Sequence, residues 1–161
     1  LDYQNLYTFM GVLSQRQLYL NVSNALIDIG EDEKALEILD MCQANVPAEN
    51  FPLESIPLGF SGNDYMVIQM VENYYYLDAA DKARELGSRL AEDLLASAKF
   101  FLEFYEYSGS DFDTTSRCIV YLADVFNQYG DKKLANQLNK SLDALIKAAT
   151  GDVKPETGSG K

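Results

Sequence analysis

Histidine is absent from this sequence of 161 residues, and cysteine occurs only twice. The missing histidine excludes Ser–His and Cys–His nucleophilic catalysis and removes the side chain most often used for proton transfer near neutral pH and for metal ligation. Cys42 and Cys118 are too far apart in sequence for a zinc motif or a disulfide framework, so we expect two buried, unpaired thiols. The glycines stand singly at helix ends and turns, which argues against a phosphate-binding glycine loop. We therefore expect neither a cofactor nor a bound metal.

Basic residues and long apolar runs are also scarce. The chain has 13 Lys and Arg against 25 Asp and Glu, a net charge of −12, so we expect it to bind neither nucleic acid nor anionic lipid. The longest stretches without charge, Tyr3–Gln15 and Gln17–Ile27, contain polar side chains and do not suit a membrane span. The first residues do not resemble a signal peptide, because Asp2 stands where such a peptide would carry basic residues. Because the sequence opens within a helical pattern, we expect it to be a piece of a longer protein.

One helical pattern recurs three times along the chain. Its first copy places aromatic, apolar and small residues at Tyr19, Val22, Ser23, Leu26, Gly30, Ala35, Leu39, Cys42 and Pro47. Shorter copies follow at Val67, Met70, Val71, Tyr74, Asp78 and Ala83, and at Ile119, Leu122, Ala123, Phe126, Gly130 and Ala135. The offsets match the tetratricopeptide pattern of two helices joined by a tight turn. They predict an all-α, tetratricopeptide-like α-α superhelix of about seven helices, a scaffold that binds or supports other molecules.

The predicted repeats are degenerate, and two segments account for their extra length. The alanines at the tight contact of each repeat lie 48 and 52 positions apart, against about 34 in a regular array. Residues 45–63 contain three prolines and are expected to form an irregular loop whose apolar side chains pack back onto the helices. The aromatic segment after Leu94 is expected to be helical with a break near Ser97.

Further boundaries follow from glycine and from polar composition. We expect Gly11 to kink or break the first helix, and Gly109–Asp113 to form a polar linker. The repeat domain is expected to span residues 1–149. Residues 150–161 have no apolar pattern, and we expect them to be a disordered tail or an expression remnant.

Three consecutive tyrosines end the first helix of the second repeat. Consecutive helical residues point about 100° apart, and the repeat register directs Tyr75 and Tyr76 toward the inner surface formed by the first helices. Polar residues of the same helices are predicted to complete a groove there: Gln17, Asn21, Asn24, Glu72, Arg117, Asp124 and Asn127. Such a groove suits a peptide or a sugar chain. The alternative is that the tyrosines seal the junction with the Pro-rich loop, because aromatic residues usually serve core packing.

Paired carboxylates are the remaining route to catalysis. Glu92 with Asp93, Glu103 with Glu106, and Asp111 with Asp113 could serve glycosidic acid–base chemistry, but carboxylates on solvated helix faces are common. The last pair also lacks the Gly and terminal Glu of a calcium loop. We therefore expect this domain not to be an enzyme.

The stretch from Gln15 to Pro52 carries a family resemblance. The segments Arg16–Tyr19, Asn24–Ile27 and Lys34–Asp40 resemble the C-terminal region of a bacterial multi-pass membrane family similar to the protein O-mannosyltransferases. The resemblance implies a soluble helical-repeat tail on the extracytoplasmic, periplasmic side of a bacterial inner membrane. It implies no catalytic residues here, because those belong to the membrane portion of such proteins.

These observations together predict a non-catalytic interaction module, the soluble tail of a membrane glycosyltransferase-like protein. Its expected partners are a protein or peptide, including a glycan acceptor, or the membrane portion of its own parent chain. The alternative is a stand-alone carbohydrate-binding or peptide-binding protein.

Overall fold

The computed structural model describes residues 3–54 and 62–151, which form six α-helices and no strand. The helices are α1 (Tyr3–Asp28), α2 (Asp32–Asn45), α3 (Gly62–Tyr76), α4 (Ala80–Glu103), α5 (Tyr105–Gln128) and α6 (Lys132–Gly151). The predicted all-α class is confirmed. Within these ranges no helix is both long enough and apolar enough to cross a bilayer.

Three turns with the same backbone geometry join the helices into pairs. Gly30, Asp78 and Gly130 adopt positive φ values of 75°, 55° and 89°. In each turn the N–H of this residue donates to the carbonyl three positions earlier, and the next N–H donates to the carbonyl five positions before it, at 2.8–3.2 Å. This pair of hydrogen bonds is the Schellman motif, which ends a helix by satisfying its last carbonyls. The repeat period read from the sequence therefore places all three turns correctly.

The alanine that follows each turn lies where the second helix of a pair meets its neighbours. Ala35, Ala83 and Ala135 are all buried, the first two completely. A small side chain lets two helix backbones approach closely, which is the role that the repeat pattern predicts for these positions. The first helix of the first pair differs from the prediction at Val22, which is 37% exposed rather than part of the core.

The helix count differs from the seven predicted because two expected interruptions are absent. Helix α1 continues through Gly11, where a side chain would meet open space, and α4 continues through Ser97. The segment Gly109–Asp113, expected as a linker, lies inside α5. The chain leaves helical geometry instead at Phe104 and again at Ser108, inside α5, where φ is −128° and ψ is 20°. The Ser108 hydroxyl donates to the Phe104 carbonyl at 2.8 Å, which holds this kinked segment together. Helix α6 reaches Gly151, and the rest of the predicted tail lies outside the described residues.

A buried arginine holds the Pro-rich loop against the helices. Arg16 is only 2% exposed, and its two terminal nitrogens each donate, at 2.7 Å, to the carbonyls of Phe51 and Pro52. Leu53 is also buried. The prediction that the loop packs back is thus confirmed for residues 46–54, whereas residues 55–61 lie outside the described structure.

The second and third helix pairs meet at a glycine. A Cβ built on Gly87 of α4 would lie 2.7 Å from Cζ of Phe126 on α5 and 3.3 Å from a methyl of Val71 on α3. In repeat register Gly87 corresponds to Leu39 of α2, which is fully buried. The Phe126 ring therefore occupies the space that a side chain fills in the first pair.

Candidate functional site

A cavity of about 410 Å³ opens between α1, α3 and the end of α5. Its lining residues are Asn24, Ile27, Asp28, Glu72, Asn73, Tyr76 and Tyr129, which we call the α1–α3 groove. Three of the side chains predicted from the sequence, Asn24, Glu72 and Tyr76, therefore meet in one place. The groove contains two carboxylates and no basic side chain.

Hydrogen bonds orient the polar side chains of the groove. The Asn73 amide donates to Asn24 Oδ1 at 2.7 Å and joins α3 to α1. The Tyr121 hydroxyl donates to Glu72 Oε2 at 3.4 Å from α5. Burial raises the pKa of Tyr121, and the Glu72 carboxylate raises it further, so this hydroxyl keeps its proton near neutral pH. Two neighbouring helices thus hold these groups in place before any ligand arrives.

A stack of two tyrosines forms the back of the groove. The Tyr129 ring lies parallel to Tyr75, with centroids 4.8 Å apart and planes inclined by 6°. Tyr75 is buried behind it and does not line the groove, and its hydroxyl donates to Asp131 Oδ2 at 2.6 Å. Tyr76, by contrast, is 58% exposed and presents its ring to solvent. The consecutive tyrosines therefore have different roles, one supporting the wall and one exposed at the groove.

An ion pair locks the supporting tyrosine. Arg84 Nε lies 3.0 Å from both carboxylate oxygens of Asp131, and Arg84 also pairs with Asp81. Burial works to raise the pKa of Asp131, but hydrogen bonds from Tyr75 and Arg84 hold that pKa below its usual value. Asp131 thus stays ionised and keeps accepting the hydrogen bond from the Tyr75 hydroxyl, which fixes the ring on which Tyr129 stacks.

The other predicted groove residues lie elsewhere on the first helices. Gln17 donates to Asn21 at 2.8 Å, one turn along the exposed face of α1. Arg117 donates from Nε to the Asp113 carbonyl at 3.2 Å, and Asp124 and Asn127 are exposed on α5. None of these five predicted residues lines the cavity: Gln17, Asn21, Arg117, Asp124 and Asn127.

The sequence analysis missed four lining residues. Asp28 precedes Tyr76 by the 48 positions of the first repeat, so the register could have identified it. Ile27 precedes Tyr75 by the same 48 positions and could have been identified in the same way. Asn73 and Tyr129 carry no such signal, because they reach the groove through the way the three pairs stack. Among the residues that the structure describes, no three metal-binding side chains come together.

A second cavity, of about 290 Å³, lies between α2, α4 and the loop. Four of its charged side chains are paired: Lys82 contacts Asp40 Oδ2 at 2.6 Å, and Arg89 pairs with Glu49. Glu85 lines the cavity as well. The Tyr74 hydroxyl donates to the other oxygen of Asp40 at 3.2 Å. These contacts join the first and second helix pairs, and they neutralise most of the charge of this cavity, whereas the α1–α3 groove has two carboxylates and no basic side chain.

The two thiols are buried and unpaired, as predicted. Burial raises the pKa of Cys42 to about 11 and that of Cys118 to about 12, while nearby Arg16 partly opposes the shift at Cys42. A thiolate is the reactive form of cysteine, and a buried thiol with a raised pKa is inert near neutral pH. Neither residue is therefore suited to be a nucleophile.

Stability is expected to fall as the pH rises from about 9 to about 11, the interval between the usual pKa of 9.0 and the pKa of folded Cys42. Below this interval the thiol is protonated in both states, whereas within it the unfolded chain ionises first. The loss attributable to Cys42 should reach about 2–3 kcal/mol. Urea unfolding at pH 7.5, 9 and 11 measures it. Cys42→Ala should lessen the loss of stability by this amount, while the loss due to Cys118, whose pKa is also raised, remains in both proteins. Parallel profiles for both proteins would contradict the prediction.

Comparisons with protein-family models, curated proteins and solved structures found no match to this chain. Its function is therefore argued from the groove and from the helix pairs.

Proposed function

We propose that this domain is a non-catalytic, tetratricopeptide-like interaction module that binds an extended, positively charged segment of a partner protein in the α1–α3 groove. The observation that carries the proposal is the composition of the groove. Asp28 and Glu72 face a cavity that has no basic side chain, beside the rings of Tyr76 and Tyr129.

Each part of the groove favours a Lys or Arg side chain. Carboxylates form charge-assisted hydrogen bonds to ammonium and guanidinium groups. A cation over an exposed aromatic ring gains about 0.5–1 kcal/mol more. The net charge of −12 would also speed the approach of a basic partner. The Asn24 and Asn73 amides add groups that can bond to a peptide backbone.

The tetratricopeptide-like architecture is part of the same proposal. Three equivalent turns, a buried alanine after each, and three stacked helix pairs support it. Stacked helix pairs create extended surfaces that bind elongated partners. The groove lies on the first helices of the pairs, where the sequence register predicted the inner surface.

Attachment to a membrane glycosyltransferase-like portion on the periplasmic side is a further proposal. It rests on the resemblance of residues 15–52 alone. Under it, the bound segment would belong to an acceptor protein or to the membrane portion of the parent chain. A sugar chain is the second candidate, because the Tyr76 ring and the two amides also suit a pyranose face and its hydroxyls.

The proposal is tested with a fluorescein-labelled Gly/Ser peptide of about nine residues carrying a pair of lysines. Fluorescence anisotropy should detect binding that disappears when the lysines are acetylated. The double variant Glu72→Gln/Tyr76→Ala should weaken binding about fivefold to tenfold, because it removes one charge contact and one ring.

Glu37→Gln is the matched control, because it removes one negative charge from an exposed position of α2 outside the groove. It should leave the affinity within about twofold. Equal weakening by the control and the groove variant would show nonspecific attraction and overturn the proposal. Binding of a neutral oligosaccharide, with no binding of the lysine peptide, would favour the sugar alternative.

A further inference from the structure

Helix α1 carries an exposed apolar stripe. Leu18, Val22, Ala25 and Ile29 follow one another at intervals of four, three and four residues, which places them on one face. We call these four residues the α1 stripe. Leu18 is 63% exposed, and Ile29, which lies just past the end of the helix, is 72% exposed. Val22 and Ala25 are exposed as well. An isolated exposed leucine is ordinary, but four such positions in register form a surface.

The same repeat positions are covered in the other two helix pairs. In α3 and just beyond it they are Met66, Met70, Asn73 and Leu77, and in α5 and just beyond it they are Cys118, Leu122, Val125 and Tyr129. Both methionines and the first three of the α5 set are buried, and the other three residues are half-buried. Helix α3 packs on α1 and α2, and α5 packs on α3 and α4. The α1 stripe is therefore the surface that another helix would cover.

The surroundings of the stripe suit a second copy of this chain. Between Tyr3 and Ile27 the one charged residue is Arg16, which is buried, although 24% of the chain is charged. Two copies that each carry a charge of −12 repel wherever acidic side chains oppose one another. Along α1 as far as Ile27 they meet no such opposition, and the acidic residues near the stripe, Asp28 and Glu31–Glu33, lie only at its Ile29 end. In a two-fold contact each surface faces its own copy, so an acidic residue on the surface would come close to acidic residues of the other copy. A surface without charge avoids this repulsion.

Head-to-tail stacking, in which α1 of one copy packs on α6 of the next, fits the structure less well. Lys133, Lys140 and Lys147 recur every seven residues along α6, all of them exposed. Of the large apolar side chains on that helix, Ile146 is exposed. This face offers the α1 stripe little apolar surface to bury, whereas a second α1 offers an identical stripe.

We propose that the α1 stripe is the contact surface between two copies of this chain, which pack α1 against α1 across a two-fold axis. The stripe is about 16 Å long, from the eleven steps between Leu18 and Ile29 at a helical rise of 1.5 Å. Such a contact falls at or below the small end of specific interfaces, under about 1,200 Å². The dimer is therefore weak, with a dissociation constant between about 1 μM and 1 mM.

Sedimentation velocity over about 0.1 μM to 1 mM protein tests the proposal, because this range spans the expected dissociation constants. The wild type should pass from monomer toward dimer and no further. Leu18→Gln/Ile29→Gln should stay monomeric over the whole range, with unchanged circular dichroism and thermal midpoint, because both side chains are exposed.

Phe104→Gln/Tyr107→Gln is the matched control, because it removes two exposed aromatic residues from the kink between α4 and α5. It should dimerise like the wild type. A wild type that remains monomeric at the highest concentration overturns the proposal. So does a stripe variant that dimerises as well as the wild type, a control that is monomeric, or assembly into species larger than a dimer.

Discussion

Substitution of Gly87 by alanine is expected to lower the free energy of unfolding by about 1–3 kcal/mol, and Gly87→Leu by enough to prevent a stable fold. The added Cβ would lie 2.7 Å from the Phe126 ring, which is closer than two non-bonded carbon atoms approach each other in proteins. Phe126 is itself almost fully buried, so its ring has little room to withdraw. Urea unfolding followed by circular dichroism measures the loss.

Gly11→Ala is the matched control for this substitution. It is the same change inside a helix, at a position where nothing lies within 4 Å of the new methyl group. Alanine is the better helix former by about 1 kcal/mol, so this variant should be slightly more stable than the wild type. Phe126→Leu should recover part of the loss in the Gly87→Ala background, although it destabilises the wild type. Additive effects of the two substitutions would contradict the proposed clash.

Arg16→Met is expected to destabilise the fold by about 2–5 kcal/mol, because it leaves the partly buried carbonyls of Phe51 and Pro52 without the buried guanidinium that donates to both. Residues 46–54 should detach first, since these hydrogen bonds fasten them to α1. Urea unfolding measures the stability, and amide hydrogen exchange measures the opening of the loop. Arg16→Lys should rescue little, because one ammonium group does not reproduce two parallel donors of a planar guanidinium.

Arg117→Met provides the matched control for charge and volume. Arg117 is exposed on α5 and donates to a carbonyl of its own helix, so its loss should cost no more than about 0.5 kcal/mol. Hydrogen exchange that accelerates equally across the whole chain in Arg16→Met would contradict a local role in holding the loop. Equal stability of Arg16→Met and the wild type would contradict the importance of the buried guanidinium altogether.

The turns of this fold could be predicted because their chemistry is local. A residue with positive φ, a small residue five positions later and apolar residues on both sides leave a signature that recurs three times. The helix interruptions could not be predicted in the same way. Gly11 is compatible with a continuous helix, whereas Phe104, where the chain does break, has no residue type that favours a break. That kink is fixed by the hydroxyl of Ser108.

The groove was predicted in part, for a related reason. Repeat register placed Asn24, Glu72 and Tyr76 on one surface, but it could not distinguish Tyr75 from Tyr76. That difference depends on Asp131, which lies 56 positions further along the chain. The burial of Arg16 is equally invisible in the sequence, because its acceptors are backbone carbonyls, which every residue possesses.

Two adjacent tyrosine hydroxyls join the middle helix pair to both of its neighbours. Tyr74 reaches Asp40 on α2, and Tyr75 reaches Asp131 at the start of α6. Repeat arrays commonly melt from their ends, because each unit depends only on the next one. Here the same turn of α3 holds the first pair on one side and the third pair on the other. We therefore expect loosening of that turn to release both ends at once, so that the domain unfolds as one cooperative unit rather than pair by pair.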